Sequence, residues 1–185
     1  MPPPCGTCGL LRLRFDWASA SGVYEGPMRT AVVALKFQGD LGALDFLKAE
    51  LTRAALAPSV ARAFAEAEAI VPVPLHPLKR WWRGRNSGLV LAKELAAGLA
   101  PGHKLPVLEL LRKRRWTPPQ SSLEAGPRRR NLRNAFAPVE GAKIPPVVIL
   151  VDDVLTTGAT ASECARALKR GGARRVLVVA AARSE

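Results

Sequence analysis

The chain has 185 residues and a formal charge of +13 at neutral pH. That length holds one ordinary domain with its own core, so folding needs no metal or disulfide staple, and the charge rules out indifference to polyanions, since nucleic acid and phosphorylated ligands are drawn to such a surface at low salt. Cys5, Cys8 and Cys164 are too few and too uneven for a secreted disulfide framework; no apolar run approaches the ~18 residues of a membrane helix, and no charged segment leads into an apolar one at the N-terminus, so a cytoplasmic protein without membrane insertion is expected.

Residues 1–21 read as a tail and residues 22–185 as a single domain. The tail carries Cys5-Gly-Thr-Cys8-Gly9, half of a zinc knuckle. Tetrahedral zinc needs four ligands and no second pair follows, so a remnant is favoured over a working zinc site at Cys5 and Cys8. Phe15 to Glu25 reads as a weak strand or hairpin arm. After Gly26-Pro27 a helix is expected, with Met28, Val32 and Leu35 on one face, ending at Lys36-Phe37-Gln38-Gly39-Asp40. A second helix places Leu44, Leu47, Leu51 and Ala55 inward and stops near Pro58, and residues 61–69 continue as a helical piece or loop. All of this reads as scaffold.

Ile70-Val-Pro-Val-Pro-Leu75 is a short apolar strand broken by Pro72 and Pro74. Proline cannot donate to a ladder, so this strand lies at an edge or ends early. A basic loop follows with His76, Lys79, Arg80, Trp81, Trp82, Arg83 and Arg85, and then a broadly apolar helix from Leu89 to Leu99. The tryptophans are either a stacking platform for bases or bodies covered by arginine stems, and His76 reads as a loop residue, not a general base. Leu105 to Leu111 is strand-like, with Ala135-Phe136-Ala137 as its returning partner. Between them Arg112, Lys113, Arg114, Arg115, Arg128, Arg129, Arg130 and Arg133 face Glu124 alone. A loop of that length and charge reads as an anion-seeking flap.

Val147-Val-Ile-Leu-Val151 is an unbroken apolar run, which fits a strand buried on both faces of a parallel sheet. Asp152 and Asp153 are expected to close it. Thr156-Thr157-Gly158-Ala159-Thr160 then leads into a helix whose Ala161, Cys164, Ala165 and Leu168 share one face. A helix N-terminus at the carboxyl end of a buried strand aims free N–H groups and a positive dipole end at any bound anion. Gly158 permits close backbone approach, the threonines add hydroxyls, and the two acids suit a sugar diol or a hydrated Mg²⁺. A plainer reading takes Thr160-x-x-Glu163 as a capping box. Gly171-Gly172 ends the helix, and Arg175 to Ala182 is the last buried strand.

Several stretches together resemble the ComF/ComFC family of competence-associated phosphoribosyltransferase-like proteins: Val71-Pro-Val-Pro-Leu-His-Pro77, Arg83-Gly84-x-Asn86, Thr117-Pro-Pro-Gln-Ser121, Arg128-Arg-Arg-Asn-Leu-Arg133 with Ala135-Phe136, and Val151-Asp-Asp-Val-Leu-Thr-Thr-Gly-Ala-Thr160. The resemblance implies a type I phosphoribosyltransferase-like α/β fold, a mostly parallel sheet flanked by helices with a basic flap or hairpin. It implies a phosphate loop at Thr156, Thr157, Gly158, Ala159 and Thr160, and Asp152 and Asp153 facing ribose and, indirectly, Mg²⁺. It also implies a pyrophosphate-side loop at Leu75, His76 and Arg80, and Lys113 on a catalytic flap. Arg83, Arg85, Arg114, Arg115, Arg128, Arg129, Arg130 and Arg133 would meet single-stranded DNA, and the partners implied are phosphoribosyl pyrophosphate or a similar ribose-phosphate and the DNA-uptake machinery. The chain departs from the family in lacking the second Cys pair, which a start further upstream would restore, and in flanking Asn86 with Arg85 and Ser87. Rival readings are a metabolic phosphoribosyltransferase acting on a nucleobase or amine, and a non-catalytic ligand sensor that binds nucleic acid; whether the chain turns substrate over, and its oligomeric state, are not legible here.

Overall fold

A computed structural model of the chain describes residues 13–55, 57–75, 86–98, 105–115 and 132–184. In chain order it has β1 (Trp17–Val23), α1 (Gly26–Phe37), α2 (Leu41–Ala55), α3 (Pro58–Glu66), β2 (Ala69–Pro72), α4 (Ser87–Ala97), β3 (Leu111–Lys113), β4 (Phe136–Pro138), β5 (Val147–Leu155), α5 (Ala159–Arg170) and β6 (Arg175–Arg183). Among the described residues, β1, β6, β5 and β2 lie side by side in that order, every neighbouring pair parallel, and β3 and β4 form a separate antiparallel ribbon.

The apolar run of β5 explains the layering. Val148 and Leu150 face one side, among Ala161, Cys164, Ala165 and Leu168 of α5; Ile149 and Val151 face the other, among Val32 of α1, Leu47 and Leu51 of α2 and Leu91 and Leu95 of α4. A strand with helices over both faces has no position for a polar residue, and each such side chain contributes about 1.5–3 kcal/mol by leaving water. On α1 the expected face is the buried one, Met28, Val32 and Leu35 together with Ala31, and on α2 Leu47 and Leu51 are fully inward with Leu44 and Ala55 partly so.

Several expectations are corrected. Of the two readings of Phe15 to Glu25, the strand holds and the hairpin arm does not: β1 is parallel to β6, with Ala18 beside Val178 and Gly22 beside Ala182. It also crosses the expected boundary at residue 22, so residues 17–21 belong to the sheet. Asp16 anchors its start, accepting from Val176 N at 2.8 Å and Lys169 Nζ at 2.7 Å. Residues 105–111 do not make one strand. Pro106 and Leu108 instead bond Ile70 across the outer edge of β2, and regular pairing begins only at Leu111. The edge position expected for the proline-broken strand holds, since β2 is the last strand of the sheet. No helix among the described residues is long and apolar enough to cross a membrane.

Candidate ribose-phosphate site

The two acids do not close β5. The strand runs on to Leu155, pairing Asp152 with Ala180 and Leu155 with Arg183 of β6, because β6 continues alongside and supplies bonding partners that the sequence of β5 alone does not announce. Strand side chains alternate, so consecutive acids point to opposite faces. Asp153 follows Ile149 and Val151 toward α1 and α4, and Asp152 follows Val148 and Leu150 toward α5 and the ribbon.

Three elements meet at Asp153. Lys36 Nζ, in the last turn of α1, lies 2.8 Å from Asp153 Oδ1, and Ser87 Oγ, at the first turn of α4, donates to Asp153 Oδ2 at 2.6 Å. Ser87 is held there by its neighbour. Asn86, buried, caps α4 by accepting from Gly88 N at 3.1 Å while its Nδ2 donates to Val73 O at 3.1 Å. The turn around Asn86 is thus a structural clamp between α4 and the end of β2, and nothing in the sequence marks Lys36 or Ser87 as a partner of Asp153. Lys36 looked like an ordinary helix-terminal cation, and only the fold places a carboxylate opposite it.

Asp152 is differently placed. Its Oδ1 accepts from Asp153 N at 2.9 Å, and it takes no hydrogen bond from another side chain among the described residues. Burial first, and then the Asp153 charge, push its carboxyl up to about 7, against the pull of Lys36 and Lys113. Lys113, on β3, comes from the other side with its Nζ 5.4 Å from the centre of the Phe136 ring. The expected catalytic cation and the first acid are therefore brought to one face.

Beyond the strand, Thr156 is exposed, Thr157 and Thr160 are half-buried, and Gly158 and Ala159 are buried. Gly158 has φ +69° and is the N-cap of α5, with no side chain accepting from the first turn. The Thr160-x-x-Glu163 capping box does not form, because the helix starts at Ala159 and Thr160 already sits inside it. Glu163 instead accepts from Asn134 N at 3.0 Å and Arg166 Nη2 at 2.7 Å. Thr157 Oγ1 is shielded from solvent and has no partner among the described residues. A buried hydroxyl without a partner next to an uncapped helix N-terminus fits an oxygen-rich anion. The loop is walled on one side by the N-terminal segment: a Cβ on Gly158 would lie 3.4 Å from Leu13 Cδ2 and Phe15 Cε1, and Arg14 N donates to Ser162 Oγ at 3.1 Å.

The donor set does not suit a Mg²⁺ held by the protein alone. Asp153 is committed to Lys36 and Ser87, and no group of three or more His, Cys, Asp or Glu able to hold a metal occurs among the described residues. Of the other anticipated positions, Leu75 is half-buried just beyond β2, and Arg114, Arg115 and Arg133 are exposed beside the ribbon. Cys5, Cys8, His76, Arg80, Arg83, Arg85, Arg128, Arg129 and Arg130 lie outside the described residues.

The chain matches the Phosphoribosyl transferase domain family over residues 85–185. Over 97% of its length it is 32% identical to Competence protein F of Haemophilus influenzae, spanning 78% of that protein. Over 95% it is 33% identical to DNA utilization protein YhgH of Escherichia coli O157:H7 and to its counterpart in Salmonella typhi, spanning 75% of each.

Proposed function

Since the chain belongs to the ComF family and has its type I phosphoribosyltransferase-like fold, we propose that it binds phosphoribosyl pyrophosphate, or a closely related ribose-phosphate, at the carboxyl end of β5 and serves DNA uptake or use. The observation that carries the ligand assignment is the bend at Thr157 and Gly158, where a hydroxyl without a partner among the described residues and a helix N-terminus with no side-chain cap converge. The 5-phosphate belongs in that bend. Asp152 is the acid left open for a ribose hydroxyl, while Asp153 orders the end of the strand through Lys36 and Ser87. Any Mg²⁺ would come with the ligand and not be held by the protein alone; Asp152 would be the acid nearest to it, and the chemistry it would supply is charge neutralisation.

Chemistry, where it occurs, is phosphoribosyl transfer. The bond from ribose C1 to the pyrophosphate oxygen breaks, its electron pair leaves with pyrophosphate, and a lone pair of the acceptor closes on C1. No protein nucleophile is required, and Lys113 is the cation placed to stabilise the departing charge. The DNA assignment draws on the names of the relatives, a competence protein and a DNA utilization protein, and on the charge of +13.

Calorimetric titration of the purified protein with phosphoribosyl pyrophosphate and Mg²⁺ tests the ligand. Binding weakened by Asp152→Asn is expected, and no heat at millimolar ligand overturns the assignment. A gene deletion that leaves transformation and DNA use unchanged removes the biological half of the proposal.

A further inference from the structure

The ribbon β3–β4 and the last turn of α5 border an open cleft of about 610 Å³, rimmed by Arg112, Arg114 and Arg170, with Glu140 as its one acidic lining residue, and backed by Ala137 and Pro138. We propose that this cleft is a seat for the phosphodiester backbone of single-stranded nucleic acid, separate from the ribose-phosphate bend. The proposal rests on the DNA reading above and adds the surface that performs it.

Charge and placement carry it. All three guanidinium groups belong to exposed residues. Among the described residues, Arg112 has Glu140 as its carboxylate partner, at 3.9 Å and on the open surface, a contact of little strength, and Arg114 and Arg170 have none. Neighbouring cations of α5 are committed elsewhere, Arg166 to Glu163 and Lys169 to Asp16. A fold that pairs those two and leaves three arginines converging on one concavity has built an anion site. The C-terminal end of a helix repels anions, so the attraction comes from the guanidinium groups alone. An apolar wall behind a row of cations suits a strand whose phosphates and base faces lie on the same side, where a duplex buries its bases away from the wall. Gly158 and Arg170 flank the two ends of α5, twelve residues long, or about 18 Å at 1.5 Å per residue. The strand and the ribose-phosphate thus occupy different ends of one helix, and each can be removed without the other.

The test is fluorescence anisotropy with labelled oligothymidylate over a series of salt concentrations. The probe is offered to the wild type, to Arg112→Ala/Arg114→Ala/Arg170→Ala, to the same three positions changed to Lys, and to a charge-matched control, Arg29→Ala/Arg62→Ala/Arg174→Ala, whose residues are exposed elsewhere. Loss of three phosphate contacts lowers the slope of log K against log salt by about 2, at ~0.7 per contact on a single strand. The cleft variant is expected to show that drop and at least tenfold weaker binding near 0.1 M salt, with the Lys variant close to wild type, the control losing less than threefold and phosphoribosyl pyrophosphate binding unchanged. Equal losses in control and cleft variant, or a cleft variant that binds like wild type, overturn the cleft and leave the DNA reading standing. A wild type that ignores the oligonucleotide overturns the DNA reading itself. Tighter binding of duplex than of single strand overturns the class of ligand.

Discussion

Asp153 shows what a single side chain owes to its neighbours. Its two oxygens are taken by Lys36 at 2.8 Å and Ser87 at 2.6 Å, from helices that are distant in sequence. Ser87→Ala leaves one oxygen without its hydroxyl and is expected to cost about 1.5–3 kcal/mol. Lys36→Met leaves a largely buried carboxylate without its counter-charge, though still bonded to Ser87, and is expected to cost about 3 kcal/mol. Urea unfolding measures both, and Lys36→Met combined with Asp153→Asn is expected to be milder than the sum of the two single changes. Asp152 has the opposite character. Its carboxyl is raised from 3.8 to about 7 in the fold, so the folded state binds a proton that the unfolded chain releases. The associated stability is fully present below the unfolded value and disappears as pH rises through about 7. The ligand-free protein is therefore expected to weaken between about pH 5.5 and 8.5 more than Asp152→Asn does, a difference that urea midpoints at the two pH values resolve. Thr157→Val removes a buried hydroxyl that has no partner among the described residues, so it should leave the free protein as stable as before or slightly more so.

At the scale of elements, the unit that matters is β5, its bend and α5. The bend turns on Gly158 at φ +69°, with Leu13 and Phe15 against the position a Cβ would take. Gly158→Ala incurs the left-handed penalty of about 1–2 kcal/mol, with the new methyl in van der Waals contact with the N-terminal segment. Loss of stability should come with loss of phosphate affinity, read by urea midpoint and by titration of the same variant, because the strain falls on the N–H groups that would receive the phosphate in the proposed site. Helix α5 is amphipathic as its sequence indicates, with Cys164 and Leu168 buried. It starts at Ala159, two residues before the position its letters suggest. Thr160-x-x-Glu163 has the letters of a capping box, but Thr160 lies inside the helix, and Glu163 is taken by Asn134, next to the ribbon, and by Arg166 one turn further along α5.

For the whole molecule, ligand and stability are linked. A ligand that binds only the folded state stabilises it by about 2.7 kcal/mol at a hundredfold excess over Kd, which for a domain of this size raises Tm by about 5–10 °C. Phosphoribosyl pyrophosphate with Mg²⁺ is expected to give such a shift in wild type and a clearly smaller one in Thr157→Val, measured by scanning calorimetry; equal shifts in both would mean that the bend is not where the ligand sits. Much of this architecture is legible in the chain itself. The apolar run of β5 cannot stand against water on either face, so it requires a covered parallel sheet; the spacing on α1, α2 and α5 selects their inner faces; and Pro72 sends β2 to an edge. These are local demands, set by the burial and hydrogen-bonding needs of adjacent residues. The meeting of Lys36, Ser87 and Asp153, the separation of the two acids onto opposite faces, and the gathering of Arg112, Arg114 and Arg170 at one cleft depend on which strands pair and where each helix crosses the sheet. Contacts between segments far apart in the chain arise only when the whole core closes, so tertiary structure alone decided them.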